Sequence, residues 1–425
     1  MSSTTTPPLS PSFSPSIVRL FLAGDFMPGR GVDAVMPSPC PREIREGYCK
    51  NALDYAHLAE KNTRRSFSIG KVTARDLLGE VSRVIDRYEP HARIVNLETS
   101  VTKKSTFYPR KSINYRASEE NVFALFEVVQ PDVVSLANNH AMDFSTEGLE
   151  DTLKFFDKNN VKRIGVGRNV ADAMKLALLE NVYPRGFAPA RNDKRGASVA
   201  VYGLCFEDSG VPTDWKATER SMGVFLAAEG DKVPERLLNG ITEMKKKTSS
   251  SNGAIVVVSV HFGSNWGYEI PRTHVTAAKA LVDAGADIIH GHSSHHAKTA
   301  MLYKKKLILF GCGEFFNDYE GISSHPGFPE TSYLGHLRLL YFVDIDAKTH
   351  DFKKLEIVLM RQKMFALTTL ENPREEAEQF LATLRQQYAF GHLKLQLKGD
   401  GATLIAWPDD AVRLQRQRSD DLEEL

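Results

Sequence analysis

Apolar residues along the chain come in short runs that stop abruptly at polar, chemically able side chains. Ile17–Ala23 gives way to Gly24-Asp25, Ala92–Val95 to Asn96-Leu97-Glu98, and Val133–Ala137 to Asn138-Asn139-His140. Further on, Ala254–Val260 ends at His261-Phe262-Gly263, Ala286–Ile289 at His290-Gly291-His292, and Leu307–Phe310 at Gly311-Cys312-Gly313-Glu314. Runs this short, rich in Val and Ile and closed by Gly, Asn or His, predict buried strands. Between them, Thr73–Tyr88, Glu119–Val129, Thr146–Lys158 and Arg272–Ala284 repeat apolar residues at spacings of three and four, which predicts amphipathic helices. Asp143 and Ser145 are candidate caps for the third of these.

Alternating strand and helix predicts an α/β core with much parallel pairing. Ligands of such sheets gather beyond the carboxyl ends of the strands, and here the polar residues fall at those ends repeatedly. Two stretches depart from the pattern. Gly31–Asn62 reads as an insertion after the first strand. Gly335–Leu425 turns to alternating strands, a helix over Arg374–Tyr388 and a final hairpin, expected to complete the sheet edges and one wall of the cleft.

Composition narrows the classes. The 425 residues are 42% hydrophobic and 25% charged, enough for a sizeable core. Lys plus Arg number 54 against 53 Asp plus Glu, for a net charge of +1, so no general attraction to nucleic acid or to an anionic membrane is expected. Cys40, Cys49, Cys205 and Cys312 form no C-x-x-C pair. A Cys40–Cys49 bridge is conceivable, but free buried thiols in a reducing compartment are the expectation. The Ser/Thr/Pro-rich opening, residues 1–16, reads as a disordered tail rather than a signal peptide, and 415–425 as a frayed one. With no apolar run near the ~18 residues of a membrane span, a cytoplasmic protein is expected.

Six of the 13 histidines (His261, His274, His290, His292, His295 and His296) lie between positions 261 and 296. Imidazoles near carboxylates make a borderline-hard metal site. Asp25 and Glu98 close strands, where each is either a cap or salt-bridge residue or a rigid anionic ligand. Two ions ~3.5–4 Å apart need such an anion between them. Asn139 offers an amide oxygen, and His140 can serve as acid or oxyanion stabiliser. Arg30 either recognises an anionic substrate or forms a salt bridge. No phosphate-binding Gly-x-x-x-x-Gly-Lys loop, Gly-x-Ser-x-Gly elbow or His-Glu-x-x-His helix is present.

Seven motifs in order carry a resemblance: Gly-Asp-Phe-Met-Pro-Gly-Arg, Asn-Leu-Glu-Thr-Ser, Ile-Asn-Tyr-Arg, Ser-Leu-Ala-Asn-Asn-His-Ala-Met-Asp, His-Phe-Gly-Ser-Asn-Trp, Gly-His-Ser-Ser-His-His and Gly-Cys-Gly-Glu-Phe-Phe-Asn-Asp-Tyr-Glu-Gly. Over about Val18 to Leu340 the chain resembles the CapA family of capsule and poly-γ-glutamate biosynthesis proteins, similar in fold to calcineurin-like metallophosphoesterases. The resemblance implies a four-layered α/β/β/α sandwich over 17–345, with part of 31–90 inserted and 346–414 completing the same domain. It also implies a centre of two divalent ions, Mn, Zn or Fe. Asp25 and His295 would hold one ion, Asn139, His261 and His292 the other, and Glu98 would bridge. His140 would assist the leaving group. Beside that set, Arg30 is expected to bind a small anionic substrate and to assist catalysis, and Asn265, where the family pattern has Glu, to bind the same substrate. Position 27 is Met where metallophosphoesterases carry a ligating His, so the first site lacks one ligand. The expected activity is hydrolysis of a phosphoester or related anionic bond. A γ-glutamyl or other amide, or a non-catalytic scaffold role, are the alternatives.

Overall fold

The strand Ile17–Phe26 is flanked on both sides and buried on both faces. Phe21 and Ala23 enter one core, and Val18, Leu20 and Leu22 enter another, as the two-residue period of a strand requires. This is a computed structural model, and it describes residues 16–187, 189, 196–227, 232–248, 253–322, 333–387 and 393–409. The expected tail at 415–425, and all but the last residue of the one at 1–16, lie outside the described residues.

Two sheets are packed face to face. In the first, Ile17–Phe26 pairs in parallel with Ala92–Leu97, followed by Val133–Ser135 and Lys162–Ile164. On its other side it pairs antiparallel with Leu337–Asp346, followed by Phe352–Lys363, Thr403–Pro408 and Leu393–Leu397. The second sheet runs in the order Ala300–Tyr303, Lys306–Leu309, Ile288–His292, Ala254–His261, Ala197–Cys205, Ala177–Val182. Its four central strands are parallel.

Three apolar cores separate four layers. Leu20, Leu22 and Ile94 meet Val199, Val257, Ile288 and Leu307 between the sheets. Helices Ala74–Tyr88, Glu119–Val129 and Ser145–Asn159 cover the outer face of the first sheet through Leu78, Leu125 and Leu153. Helices Glu235–Thr248 and Arg272–Ala284 cover the second through Ile241 and Leu281. The chain therefore forms the expected α/β/β/α sandwich.

Three expectations are corrected. Leu337–Asp346 is not an edge strand: it lies beside Ile17–Phe26 in the middle of the sheet, and Leu393–Leu397 takes the edge. The Ile288–His292 strand runs on through its histidines, placing His292 beside His261 in register. Neither Asp143 nor Ser145 caps the helix at 145–159: its N-cap position is Phe144, with no side-chain cap. By contrast Thr73 and Asp76 form a reciprocal capping box at the helix beginning with Ala74. All four cysteines are buried free thiols, and no described helix is long and apolar enough to cross a membrane.

Candidate metal centre

The carboxyl ends of both sheets' parallel strands converge on one set of buried polar side chains. The first strand reaches it through a close approach of backbones. A Cβ on Gly24 would lie 1.7 Å from the Gly313 carbonyl oxygen, and Gly313 itself takes a left-handed conformation (φ +67°). The Asp25 amide donates to that carbonyl at 2.9 Å. Asp25 then sits at a break in strand register and is fully buried. Its Oδ1 accepts from Asn96 Nδ2 at 2.8 Å.

The second sheet contributes the histidines. Because His261 and His292 are register partners on adjacent parallel strands, their rings face each other with Nδ1 atoms 2.8 Å apart. His261 Nε2 lies 3.3 Å from Asn139 Oδ1. Ser259 Oγ lies 2.8 Å from His292 Nε2 and 3.2 Å from His290 Nδ1, and His290 Nε2 faces the Ala23 carbonyl at 2.8 Å. Ligand atoms of Asp25, His261 and His292 all lie within 4.8 Å of one another. Glu98 Oε1 is 3.9 Å from His261 Nε2 and 3.7 Å from His140 Nε2.

Burial controls the charge here. It raises Asp25 to about 6, against the opposing pull of His295 and Asn96. Glu98 is raised well above the usual carboxylate range by burial and then by the neighbouring Asp25 charge. Burial drives His261 and His292 well below the ordinary imidazole value, so both are neutral, the form that ligates metals. Asp25 Oδ2 and Glu98 Oε2 are buried without a hydrogen-bond donor other than a proton shared between the two carboxyls. Buried polar atoms are ordinarily satisfied, and two carboxylate oxygens so placed beside neutral imidazoles are the donor set a divalent cation would satisfy. The residues present fit such an ion.

His140 stands beside this cluster, held from behind. Its Nδ1 is 2.5 Å from Asp143 Oδ2, and Lys111 Nζ contacts that same Nδ1 at 3.0 Å and Asp143 Oδ1 at 2.7 Å. The Tyr115 ring meets the imidazole edge to face at 4.3 Å, and the Tyr115 amide donates to Asp143 at 2.6 Å. With Asp143 at Nδ1, the Nε2 face is the one turned to Glu98. Burial lowers His140 to about 4.

Asp25, Glu98, Asn139, His140, His261 and His292 are thus brought together. The remaining expected site residues stand differently. His295 does not group with Asp25 in the tight cluster; its Nδ1 lies 2.8 Å from Glu314 Oε1, with Trp266 and Tyr319 rings 5.5 and 5.4 Å away. Asn265 is exposed, and its backbone carbonyl accepts from the His295 amide at 2.9 Å. Arg30, expected at a substrate, is instead shut inside the protein. Its guanidinium donates to Asp318 at 2.5 and 3.1 Å, to Glu46 at 2.8 Å and to Tyr55 Oη at 2.7 Å, and it stacks between Tyr55 and Tyr115. Two carboxylates and two aromatic faces leave no open face for an anion.

Sequence reasoning missed Asp143, Lys111, Asn96 and Glu314. Asp143 carried a signal, since it follows His140 by three residues in the same motif. Asn96 and Glu314 carried one as well, each standing at the end of an apolar run, whereas Lys111 carried none, because its role depends on chain segments far apart.

The model of the bacterial capsule synthesis protein PGA_cap matches residues 19–319. The chain belongs to that family. It is 35% identical over 349 residues, 82% of this chain and 86% of the relative, to a probable polyglutamine synthesis accessory protein of Mycobacterium tuberculosis. It is also 31% identical over 224 residues to the PGA biosynthesis protein CapA of Bacillus subtilis, 52% of each chain. The capsule biosynthesis protein CapA of Bacillus anthracis matches at 31% over 218 residues, 51% of this chain and 47% of that one. Of the motifs that place the family's matched segment, six fall wholly inside it, and the seventh, beginning at Gly311, runs two residues past its end. A phosphatase of Mycoplasma pneumoniae aligns over 81% of this chain and 94% of its own at 11% identity and a TM-score of 0.39, a likeness too loose to bear on function.

Proposed function

We propose that this family member is a metal-dependent hydrolase acting on a phosphoester or related small anionic substrate in the cytoplasm. One observation carries the reading: Asp25 Oδ2 and Glu98 Oε2 are buried beside Asn139, His261 and His292 with no donor but a proton the two carboxyls would have to share, a place a divalent cation would take. Two divalent ions, of the Mn, Zn or Fe type, would polarise a substrate oxygen and make a water acidic enough to attack near neutral pH. The chain's own part is to hold that chemistry in place and move a proton. Asp143 and Lys111 fix the His140 ring; burial keeps that ring neutral at rest, so its Nε2 would first take the proton released by the attacking water and then hand it to the departing oxygen. The four buried free thiols support a reducing compartment.

A second reading changes the bond to a γ-glutamyl amide. The names of the relatives, which speak of polyglutamine and PGA synthesis, favour it. Metal analysis of the purified protein, followed by a screen of phosphomonoesters, phosphodiesters and γ-glutamyl peptides with Mn, Zn, Fe, Co or Ni, separates the two. Phosphoester turnover supports the first, and amide cleavage the second. Bound metal without turnover of any substrate overturns both in favour of an accessory, non-catalytic role.

A further inference from the structure

We propose that Glu314 is itself a metal ligand, completing the Asp25 and His295 side of the centre where position 27 supplies a methionine. The inference rests on the reading of this centre as metal-binding. Its starting point is strand geometry. Glu314–Phe316 pairs in parallel with the first strand, with Glu314 directly opposite Asp25. The pairing is possible because Gly24 and Gly313 let the two backbones touch.

Three buried atoms on this side lack a hydrogen-bond partner, save for the proton Asp25 would share with Glu98: Asp25 Oδ2, His295 Nδ1 and Glu314 Oε1. Their residues are 0%, 5% and 4% exposed, so water does not readily satisfy them. His295 Nδ1 and Glu314 Oε1 are 2.8 Å apart, yet not aligned as a hydrogen bond. Two donors at that separation whose lone pairs do not point at each other resemble neighbouring ligands of one ion. Bonds of about 2.1 Å at right angles put ligand atoms about 3 Å apart. Asp25 is the backbone partner of Glu314 in the strand pairing, and the Ser293 amide, two residues before His295, approaches Asp25 Oδ1 at 3.4 Å.

The rival explanation is an ordinary ion pair with Arg338. That contact, to Glu314 Oε2, is long at 3.5 Å. The Arg338 guanidinium is bonded more closely to Asn317, Gln362 and the Gly335 and Leu337 carbonyls at 2.6–3.0 Å. Oε1 is left facing His295. Two carboxylates and an imidazole suit a borderline-hard divalent cation, whereas two buried carboxylates without one repel.

The test is a Co²⁺ titration of chelator-stripped protein, read by calorimetry and by the visible d–d absorption of the bound ion. Wild type should bind two equivalents. Glu314→Gln keeps the size and an acceptor oxygen but loses the charge; it should bind one equivalent fewer and lose the corresponding d–d band. Its metal-free thermal midpoint should hold or rise, because a buried charge is gone. Two equivalents with an unchanged spectrum would overturn the assignment. So would two equivalents bound more weakly with the band unaltered, since that marks a residue that only orients His295. Should Glu314→Gln fail to fold, Glu314→Asp decides: it should weaken one site at least tenfold, and unchanged affinity would refute the ligand role. Wild type binding no ion would instead sink the metal reading beneath it.

Discussion

Arg30 is where sequence and structure part most sharply, and replacing it distinguishes a substrate-binding residue from an internal clamp. Its guanidinium side chain is 1% exposed, and those of Glu46 and Asp318 are 0%. Arg30→Ala leaves both carboxylates buried without their cation, a loss that typically costs about 3–5 kcal/mol. Removing the cation from between the Tyr55 and Tyr115 rings, 3.8 and 4.1 Å away, acts in the same direction. Taking ~4 kcal/mol and an unfolding entropy of ~2.1 cal/mol/K per residue, the thermal midpoint should fall by ~5 °C. The assay is thermal unfolding of the chelator-treated protein at one scan rate, alongside KM and kcat of the metal-loaded protein. Arg30→Lys should lie between, because an ammonium cannot reproduce the two-pronged contact with Asp318. A midpoint within 1 °C of wild type together with a raised KM would refute the clamp and restore Arg30 to the substrate.

Replacing His261 or His292 with Ala should lower metal content and abolish the thermal stabilisation that added metal gives; full stoichiometry in both variants, measured by elemental analysis, would remove them from the ligand set. His140→Ala should keep its metal but lose turnover by ~10²–10⁴-fold, less for substrates with good leaving groups, and loss of metal would make His140 a ligand instead. Burial lowers His91 to about 4, so the folded protein holds it neutral while the unfolded chain takes up a proton below its ordinary value near 6.5. Stability should therefore fall between those two values and level off below the lower one, by about 2 kcal/mol for this partly exposed ring. Denaturant titrations of His91→Gln should lack that share of the acid sensitivity, and an unchanged pH slope would contradict the argument.

Local signals were legible where local physics decides. Glu119–Val129 and Arg272–Ala284 form helices over the expected residues, because one apolar stripe and its termini suffice to define them. His261 and His292 were legible as site residues because they end strands. Long-range closure was not. The partners of Arg30 lie 16 and 288 residues away, so nothing near Arg30 announces that it is buried. Asp143 sits close to a helix start and looks like a cap, but Lys111, Tyr115 and His140 take its carboxylate. The central place of Leu337–Asp346 was hidden for the same reason: an antiparallel return from the far end of the chain leaves no periodic trace of which strand it will join.

The central claim, that the buried centre uses divalent metal to hydrolyse an anionic ester, is tested most directly by restoring metal to stripped protein. Chelator-treated protein would be titrated with Mn²⁺ while bound ions and hydrolysis of a p-nitrophenyl phosphate ester are followed in the same sample. Turnover should be absent without metal and rise in step with occupancy, saturating as two ions bind, while Asp25→Asn stays inactive at every concentration. Ions that bind without turnover, or turnover indifferent to their presence, would contradict the account.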